Sequence, residues 1–325
     1  SQTEHDVVAR LPVLIKIVML CLLIPAYFNL GTLALSPSKV LFVLIVPVLT
    51  VNLLSGRYGR LIFTDAMVFA FAAWMTLAML ANHTPRVAIE YTGSNTVTLL
   101  GGYLTARATI RSKETFLALI RFLAFVVVLS LPFAIYETNT SRTTIPRWLW
   151  DLPGIRSHSD INHDPRLGLW RVQWVFPHPI HYGIFCSMVF SLVLVGMTGV
   201  MARLRRVITA IIVGLCCLLS VSSGPFLALL TQVGLIGWAV GMRWTGMRWR
   251  ILGTIATVFY VVAELASNRP AIYAIVSQLA FNPATAFSRR ILFERGVEQV
   301  GNAPILGIGY NDFLLPAWMS GSIDN

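Results

Sequence analysis

The segment Arg166-Leu-Gly-Leu-Trp-Arg171-Val-Gln-Trp-Val-Phe176-Pro-His178-Pro-Ile-His181-Tyr-Gly183 joins a polar loop to a strongly apolar stretch. Pro179 fits the first position of a helix, because that position needs no backbone N–H and proline already has a helical φ. The N–H groups and the positive dipole end of such a helix form an anion site. Arg171 is suited to bidentate contact with phosphate, and His178 and His181 add side chains of the type that can gain or lose a proton near neutrality. The alternative is an interfacial anchor, since Trp and Arg often lie at headgroup level without chemistry.

Composition indicates a polytopic membrane protein. Of the 325 residues, 56% are hydrophobic and only 12% are charged, and the mean hydropathy is +0.72, whereas soluble domains carry about 25% charged residues. The net charge of +11 does not imply nucleic-acid binding, because Lys and Arg lie mostly in short loops between apolar runs, the pattern that orients membrane proteins. The four cysteines fall inside apolar runs and no Cys/His spacing resembles a zinc site, so we predict neither a disulfide nor a metal site.

We predict an all-α, polytopic transmembrane helical bundle with about nine spans, in a single transmembrane domain over residues 1–325. The predicted spans are 11–30, 38–55, 61–81, 94–106 (short or broken), 115–136, 180–199, 206–222, 225–241 and 250–267. Basic loops follow every second span, so the positive-inside rule makes their side cytoplasmic, together with the N-terminus. The external side then holds two long segments, 137–179 and 268–325, with short amphipathic helices.

A polar break, Ser220-Val-Ser222-Ser223-Gly224-Pro225, interrupts one long apolar run. One interpretation is a second external helix start that favours anions, since irregular backbone at membrane depth must be covered by protein or line a cavity. The other is a tight hairpin with a serine N-cap. No charged residue lies convincingly at a bilayer midplane, which disfavours an ion-coupled transporter.

A second candidate site lies in the last external segment, where we predict a helix from about residue 285 to 300. Helical spacing predicts two ion pairs, Arg290–Glu294 and Arg295–Glu298. Arg289 has no carboxylate at helical spacing, so it is the arginine most able to meet an external anion. The alternative is that these arginines are solvated or lie against lipid phosphates. Gly307-x-Gly309 is predicted to be a turn.

Three motifs in order resemble one protein family. They are Arg171…Phe176-Pro-His178-Pro…Gly183, Ser-Ser-Gly-Pro at 222–225, and Ser288-Arg289…Phe293…Pro304-Ile-Leu-Gly307-Ile-Gly309. From about residue 160 onward the chain resembles the O-antigen ligase and O-antigen polymerase superfamily of bacterial inner-membrane polysaccharide enzymes. The resemblance implies a GT-C-like bundle and further spans beyond the second external segment, which we expect to be truncated.

The resemblance also implies a metal-independent glycosyltransferase without a cofactor. Such an enzyme takes polysaccharide repeat units from an undecaprenyl diphosphate carrier on the periplasmic face. The acceptor is another carrier-linked repeat in a polymerase and lipid A-core in a ligase. The implied partners are the carrier-linked glycan, an acceptor glycan or lipid, membrane lipids, and the chain-length regulator and flippase of the same pathway, with no nucleic acid.

Residue roles follow from matching the motifs. External arginines of the family bind the diphosphate, which gives that role here to Arg171, Arg289 and Arg290, with Arg166 behind them. The family base is often a histidine followed by Asn, and here Asp324-Asn325 stands at the matching place. Asp324 is therefore the candidate base. His178 is either a competing base or a hydrogen-bond donor to phosphate. His181, one turn further on, has a structural or substrate-binding role.

Two other classes of protein stay open. A lipid-linked oligosaccharide flippase or transporter needs a polar route through the bundle and two matched halves. A membrane scaffold without catalysis would tolerate replacement of Arg171 and Arg289. The external clustering of charge favours the transferase.

Overall fold

A computed structural model describes residues 10–30, 33–158, 165–266, 283–309 and 311. The fold is mostly helical, which confirms that part of the predicted class. Its helices are α1 Val13–Leu23, α2 Pro37–Leu54, α3 Phe63–Asn82, α4 Pro85–Thr109, α5 Lys113–Thr140, α6 Ile145–Trp150, α7 Pro179–Ser191, α8 Arg203–Leu219, α9 Ser223–Gly241, α10 Arg248–Ala266 and α11 Pro283–Asn302. A π-helical turn, Leu192–Gly196, extends α7.

Among the residues that the structure describes, six helices are long and apolar enough to cross a membrane: α2, α3, α5, α7 with its π-helical turn, α9 and α10. They indicate a membrane protein. The other three predicted spans do not reach this standard. Helices α1 and α8 are too short, with 11 and 17 residues. Helix α4 is long enough but too polar. The prediction that 94–106 is short or broken is wrong, because α4 is one continuous helix of 25 residues.

A small antiparallel sheet corrects the all-α prediction. Helix α1 ends before Pro25, whose ring and missing N–H oppose continuation of a helix. The predicted span 11–30 therefore ends in strand β1, Ala26–Leu30. This strand pairs with β2, Leu33–Leu35, and with β3, Arg156–Ser157, in the order β2-β1-β3. The sheet therefore joins the segment after α1 to the segment after α6.

The chain forms two compact units. The first contains residues 1–221 and 305–310, and the second contains 222–304 and 311–325. In the first unit, apolar residues of α2, α3 and α4 form one core cluster, Leu49, Leu53, Ala72, Leu100 and Leu104. A second cluster joins the start of the described chain to α5 through Leu11, Ile15, Ala118 and Leu119.

A buried ion pair also stabilises the first unit. Asp65 in the first turn of α3 accepts hydrogen bonds from the Tyr103 hydroxyl at 2.5 Å and from Arg107 Nε at 3.2 Å. The remaining Arg107 nitrogens donate to the carbonyl oxygens of Tyr58 and Arg60, both at 2.9 Å. Because these hydrogen bonds satisfy it, the Asp65 carboxylate is tolerated in the interior. The Arg107 guanidinium joins α4 to the loop between α2 and α3.

Residues 305–309 of the Pro-Ile-Leu-Gly-x-Gly block pack against α3 within the first unit. The indole N–H of Trp74 donates to the Ile305 carbonyl at 3.1 Å, and the Asn82 amide donates to the Leu306 carbonyl at 3.3 Å. Gly309 has φ +66°, and a Cβ there would lie 2.5 Å from His83 Nε2. This position therefore requires glycine both for its backbone conformation and for its close approach to α3.

Replacing Gly309 with alanine is expected to release this block from α3. The left-handed conformation costs a residue with a Cβ about 1–2 kcal/mol, and the contact with His83 adds to that cost. Hydrogen exchange should rise at residues 305–309 in the variant. Gly301→Ala is the control, because a Cβ there meets nothing within 4 Å. Equal exchange in Gly309→Ala and the unmodified protein would show that the close approach is not needed.

Candidate functional site

The end of α5 holds the backbone on both sides of Arg171. The Thr138 hydroxyl donates to the Trp170 carbonyl at 2.9 Å, and the Trp170 N–H donates to the Thr138 carbonyl at 3.2 Å. The carboxylate of Glu137, only 4% exposed, accepts the N–H groups of Gln173 at 2.9 Å and Trp174 at 3.0 Å. Hydrogen bonds to an ionised carboxylate are about twice as strong as neutral ones. We call residues 170–174 the Arg171 segment.

The other edge of the Arg171 segment contacts the end of α8. The Val172 N–H donates to the Leu219 carbonyl at 3.1 Å, so the segment lies beside the start of the polar break predicted at residue 220. Two buried residues here have positive φ: Trp174 at 52° and Val221 at 41°. A β-branched residue in this region is a true outlier. Such conformations persist only where the surroundings determine them, and they cluster at functional sites.

Arg166 stands at the base of a tight turn. Arg166 and Leu169 exchange both backbone hydrogen bonds at 3.0 Å. The two residues between them, Leu167 and Gly168, have φ of +54° and +75°, as a two-residue hairpin turn of this hand requires. The turn directs the chain back into the Arg171 segment, so Arg166 and Arg171 belong to one ordered loop.

Helix α7 begins at Pro179, as predicted. The residue before it, His178, is the N-cap, and its Nδ1 accepts the Ile180 N–H at 3.0 Å. The expectation that the first N–H groups are open to an anion is therefore wrong for Ile180, because the imidazole already occupies that donor. A neutral imidazole that accepts at Nδ1 carries its proton on Nε2, which makes Nε2 a donor.

His178 and His181 lie at the start of α7, and His158 is near enough to His181 to interact with it electrostatically. The rings of His178 and His181 lie 6.0 Å apart, and the ring of His158 lies 5.9 Å from that of Tyr27 on β1. Burial, and next the charge of nearby His181, lower the pKa of His158 below its ordinary value. The neutral form of His158 is thus favoured. Within the described part of the chain, no group of three or more His, Cys, Asp or Glu residues could hold a metal ion.

Aromatic packing fixes the first turn of α7 beneath the Arg171 segment. The Trp174 ring meets Tyr182 edge-on at 6.1 Å, and the Tyr182 hydroxyl shares a hydrogen bond of 2.8 Å with the Ser130 hydroxyl of α5. Tyr182 is fully buried. The Arg171 segment, α5 and α7 therefore hold one another through buried contacts.

The remaining predicted site residues lie elsewhere in the chain. Helix α11 confirms the helix predicted near 285–300, and it contains both predicted ion pairs, Arg290–Glu294 at 2.7 Å and Arg295–Glu298 at 2.8 Å. Arg289 is exposed and makes no side-chain hydrogen bond or ion pair with the described residues. Because α11 belongs to the second unit, an approach of Arg289 to Arg171 stays a prediction. Asp324 lies outside the described residues.

Sequence reasoning did not assign Glu137, Thr138 or His158 to the site. Glu137 gave a partial signal, as a carboxylate at the end of a long apolar run. Its partners are backbone amides 36 and 37 residues away, and a backbone amide has no signature in the sequence. His158 gave no signal, because β3 was not predicted.

Fold and site together define a mostly helical chain, with six membrane-length apolar helices in its described ranges and an ordered loop that carries arginine and histidine. Comparisons with protein-family models, with curated proteins and with solved structures found no match.

Proposed function

We propose that the chain is a membrane glycosyltransferase that polymerises polysaccharide repeat units from an undecaprenyl diphosphate carrier on the periplasmic face of the bacterial inner membrane. The observation that carries the proposal is the ordering of the Arg171 segment by Glu137, Thr138 and Leu219. Buried hydrogen bonds that fix a loop beside membrane-length helices are expected where the loop must position a polar side chain, here Arg171, for a reaction.

The chemistry needs a fixed cation at this place. When the bond between the anomeric carbon and the diphosphate breaks, its electron pair moves to the leaving diphosphate. An arginine that is already positioned stabilises this charge without reorganising, and it does so most strongly where water is excluded. The acceptor hydroxyl forms the new bond and gives its proton to a base. Arg171 has hydrogen-bonded backbone on both sides, as this role requires.

The two roles open to His178 are not equally supported. Because Nδ1 accepts the Ile180 N–H, Nε2 carries the proton of the neutral imidazole. Nε2 can therefore donate a hydrogen bond to a phosphate oxygen, but it has no lone pair with which to take the proton of the acceptor hydroxyl. The proposal therefore makes His178 a donor to the diphosphate. Asp324 keeps the role of base, Arg289 and Arg290 keep that of a second diphosphate contact, and Arg166 and His181 flank the first.

Transfer measured in detergent with purified carrier-linked repeat, with and without a chelator, tests the proposal. Arg171→Ala is expected to lower the rate by about a hundredfold or more, since loss of one preorganised charge contact has effects of that order. Arg289→Ala should act similarly, without loss of folding. The control is Arg142→Ala, an exposed arginine that follows α5. Polymer of normal length from both Arg171→Ala and Arg289→Ala would refute the proposal, and product on lipid A-core would identify a ligase.

A further inference from the structure

The loop between α9 and α10 has features that the proposed function does not use. We call residues 242–250 the α9–α10 turn. They read Met-Arg-Trp-Thr-Gly-Met-Arg-Trp-Arg, and both flanking helices are long and apolar enough to cross a membrane. The whole turn belongs to the second unit.

Hydrogen bonds close the turn into a compact hairpin end. The Trp238 indole N–H donates to the Arg248 carbonyl at 3.0 Å, and Arg248 Nη1 donates to the Ala239 carbonyl at 3.4 Å. The Met242 N–H caps α9 by donating to the Trp238 carbonyl at 2.9 Å. The end of α9 and the start of α10 are therefore held together, and the turn has a defined shape.

The lengths of the helices place this turn at headgroup depth. Helices α9 and α10 have 19 residues each, which is about 28 Å of helix, close to the ~30 Å of a bilayer's hydrocarbon core. A turn that joins two such helices lies at the boundary between acyl chains and water, whichever leaflet it faces.

The charge of the turn is entirely positive. It contains Arg243, Arg248 and Arg250 and no acidic residue. Arg243 and Arg250 are exposed and make no side-chain hydrogen bond or ion pair with the described residues. Among the described acidic residues of the second unit, Glu264 lies near the opposite end of α10, and Glu294 and Glu298 pair with arginines of α11.

Large apolar side chains accompany these arginines at the surface. Trp244 is 77% exposed and Trp249 is 51% exposed, with Met247 beside them. The guanidinium of Arg248 lies 5.9 Å from the centre of the Trp249 ring. Indole rings favour the membrane interface, where the ring is in an apolar layer and the N–H is wet. Exposed tryptophans among unneutralised arginines therefore suit a surface that is both apolar and anionic.

We propose that the α9–α10 turn is a binding surface for anionic phospholipid headgroups in the bilayer. The arginines contact lipid phosphates, for which the planar guanidinium is suited, while Trp244, Met247 and Trp249 enter the layer just below. This surface is independent of the proposed glycosyltransfer, since it contains none of the residues assigned to that reaction.

Lipid titration of the purified full chain in detergent micelles tests the proposal. Phosphatidylglycerol is expected to bind more tightly than zwitterionic phosphatidylcholine when bound lipid is counted by native mass spectrometry. The double variant R243Q/R250Q should lose about 20-fold in affinity for phosphatidylglycerol, because each arginine near an anionic surface contributes about fivefold. Binding of phosphatidylcholine should not change. Neither side chain bonds within the described fold, so the melting temperature should stay the same.

Two comparisons make the test specific. R203Q/R205Q removes the same charge from the start of α8, where both arginines are also exposed, and it should leave affinity within about twofold. An equal loss in this control would overturn the proposal in favour of diffuse electrostatic attraction. Equal binding of the two lipids would overturn it by showing that the turn does not recognise the lipid's charge. Trp244→Ser should weaken phosphatidylglycerol binding without changing charge. Unchanged binding, or displacement of the lipid by millimolar inorganic phosphate, would show that the turn does not enter the bilayer.

Discussion

Glu137→Gln is expected to lower the rate of transfer by about tenfold to a hundredfold while leaving the protein folded. The amide can accept only one of the two N–H groups that the carboxylate now accepts from Gln173 and Trp174, and its own NH2 opposes the other. A buried N–H left without an acceptor costs about 1–3 kcal/mol, and each 1.4 kcal/mol is a factor of ten. Because the Arg171 backbone loses one of its supports, we expect kcat to fall more than KM rises.

The control for this prediction lies on the same helix. Glu114→Gln makes the same change at the exposed start of α5 and should leave the rate unchanged, since Glu114 lies at the other end of the helix from the Arg171 segment. Glu137→Asp keeps the charge but has a shorter side chain, so its rate of transfer should lie between those of the unmodified protein and Glu137→Gln. A folded Glu137→Gln protein with a normal rate would show that the ordering of the Arg171 segment has no part in transfer.

Gly101→Ala is expected to destabilise the first unit strongly. Gly101 on α4 faces the ring of Phe42 on α2, and a Cβ there would lie well inside van der Waals contact with that ring. Phe42 is only 1% exposed, so its ring has little room to move. Overpacking of a filled core costs about 1–3 kcal/mol. Thermal unfolding in detergent should show a melting temperature several degrees lower.

The neighbouring residue supplies a matched control. A Cβ on Gly102 meets nothing within 4 Å, and replacing glycine by alanine inside a helix gains about 0.5–1 kcal/mol. Gly102→Ala should therefore leave the melting temperature unchanged or raise it. Phe42→Leu should partly restore Gly101→Ala, because residues in contact do not act additively. Equal melting temperatures for the two glycine variants would contradict the close packing of α2 on α4.

Local chemistry accounts for the successful predictions. Neighbours within about four residues decide where α7 begins, where α11 extends and which two ion pairs α11 contains. The six apolar helices of the described ranges follow from their own composition. The failures at 11–30 and 94–106 are also local. Counting apolar residues from 11 to 30 ignored Pro25, which ends the helix there. Counting them near 94–106 could not distinguish a long helix with polar residues from a short or broken span.

The sequence by itself determined that this chain is mostly helical, that it carries membrane-length apolar helices, and that an arginine and a histidine precede one of them, with a second histidine in its first turn. These properties are readable because helix periodicity, hydrophobic length and helix starts are set by adjacent residues. Only the tertiary structure decided that Glu137 and Thr138 order the Arg171 segment, that His158 lies near His181, and that Gly309 must pass close to α3. In each case at least one partner is remote in the chain, and often it is a backbone group that every residue possesses.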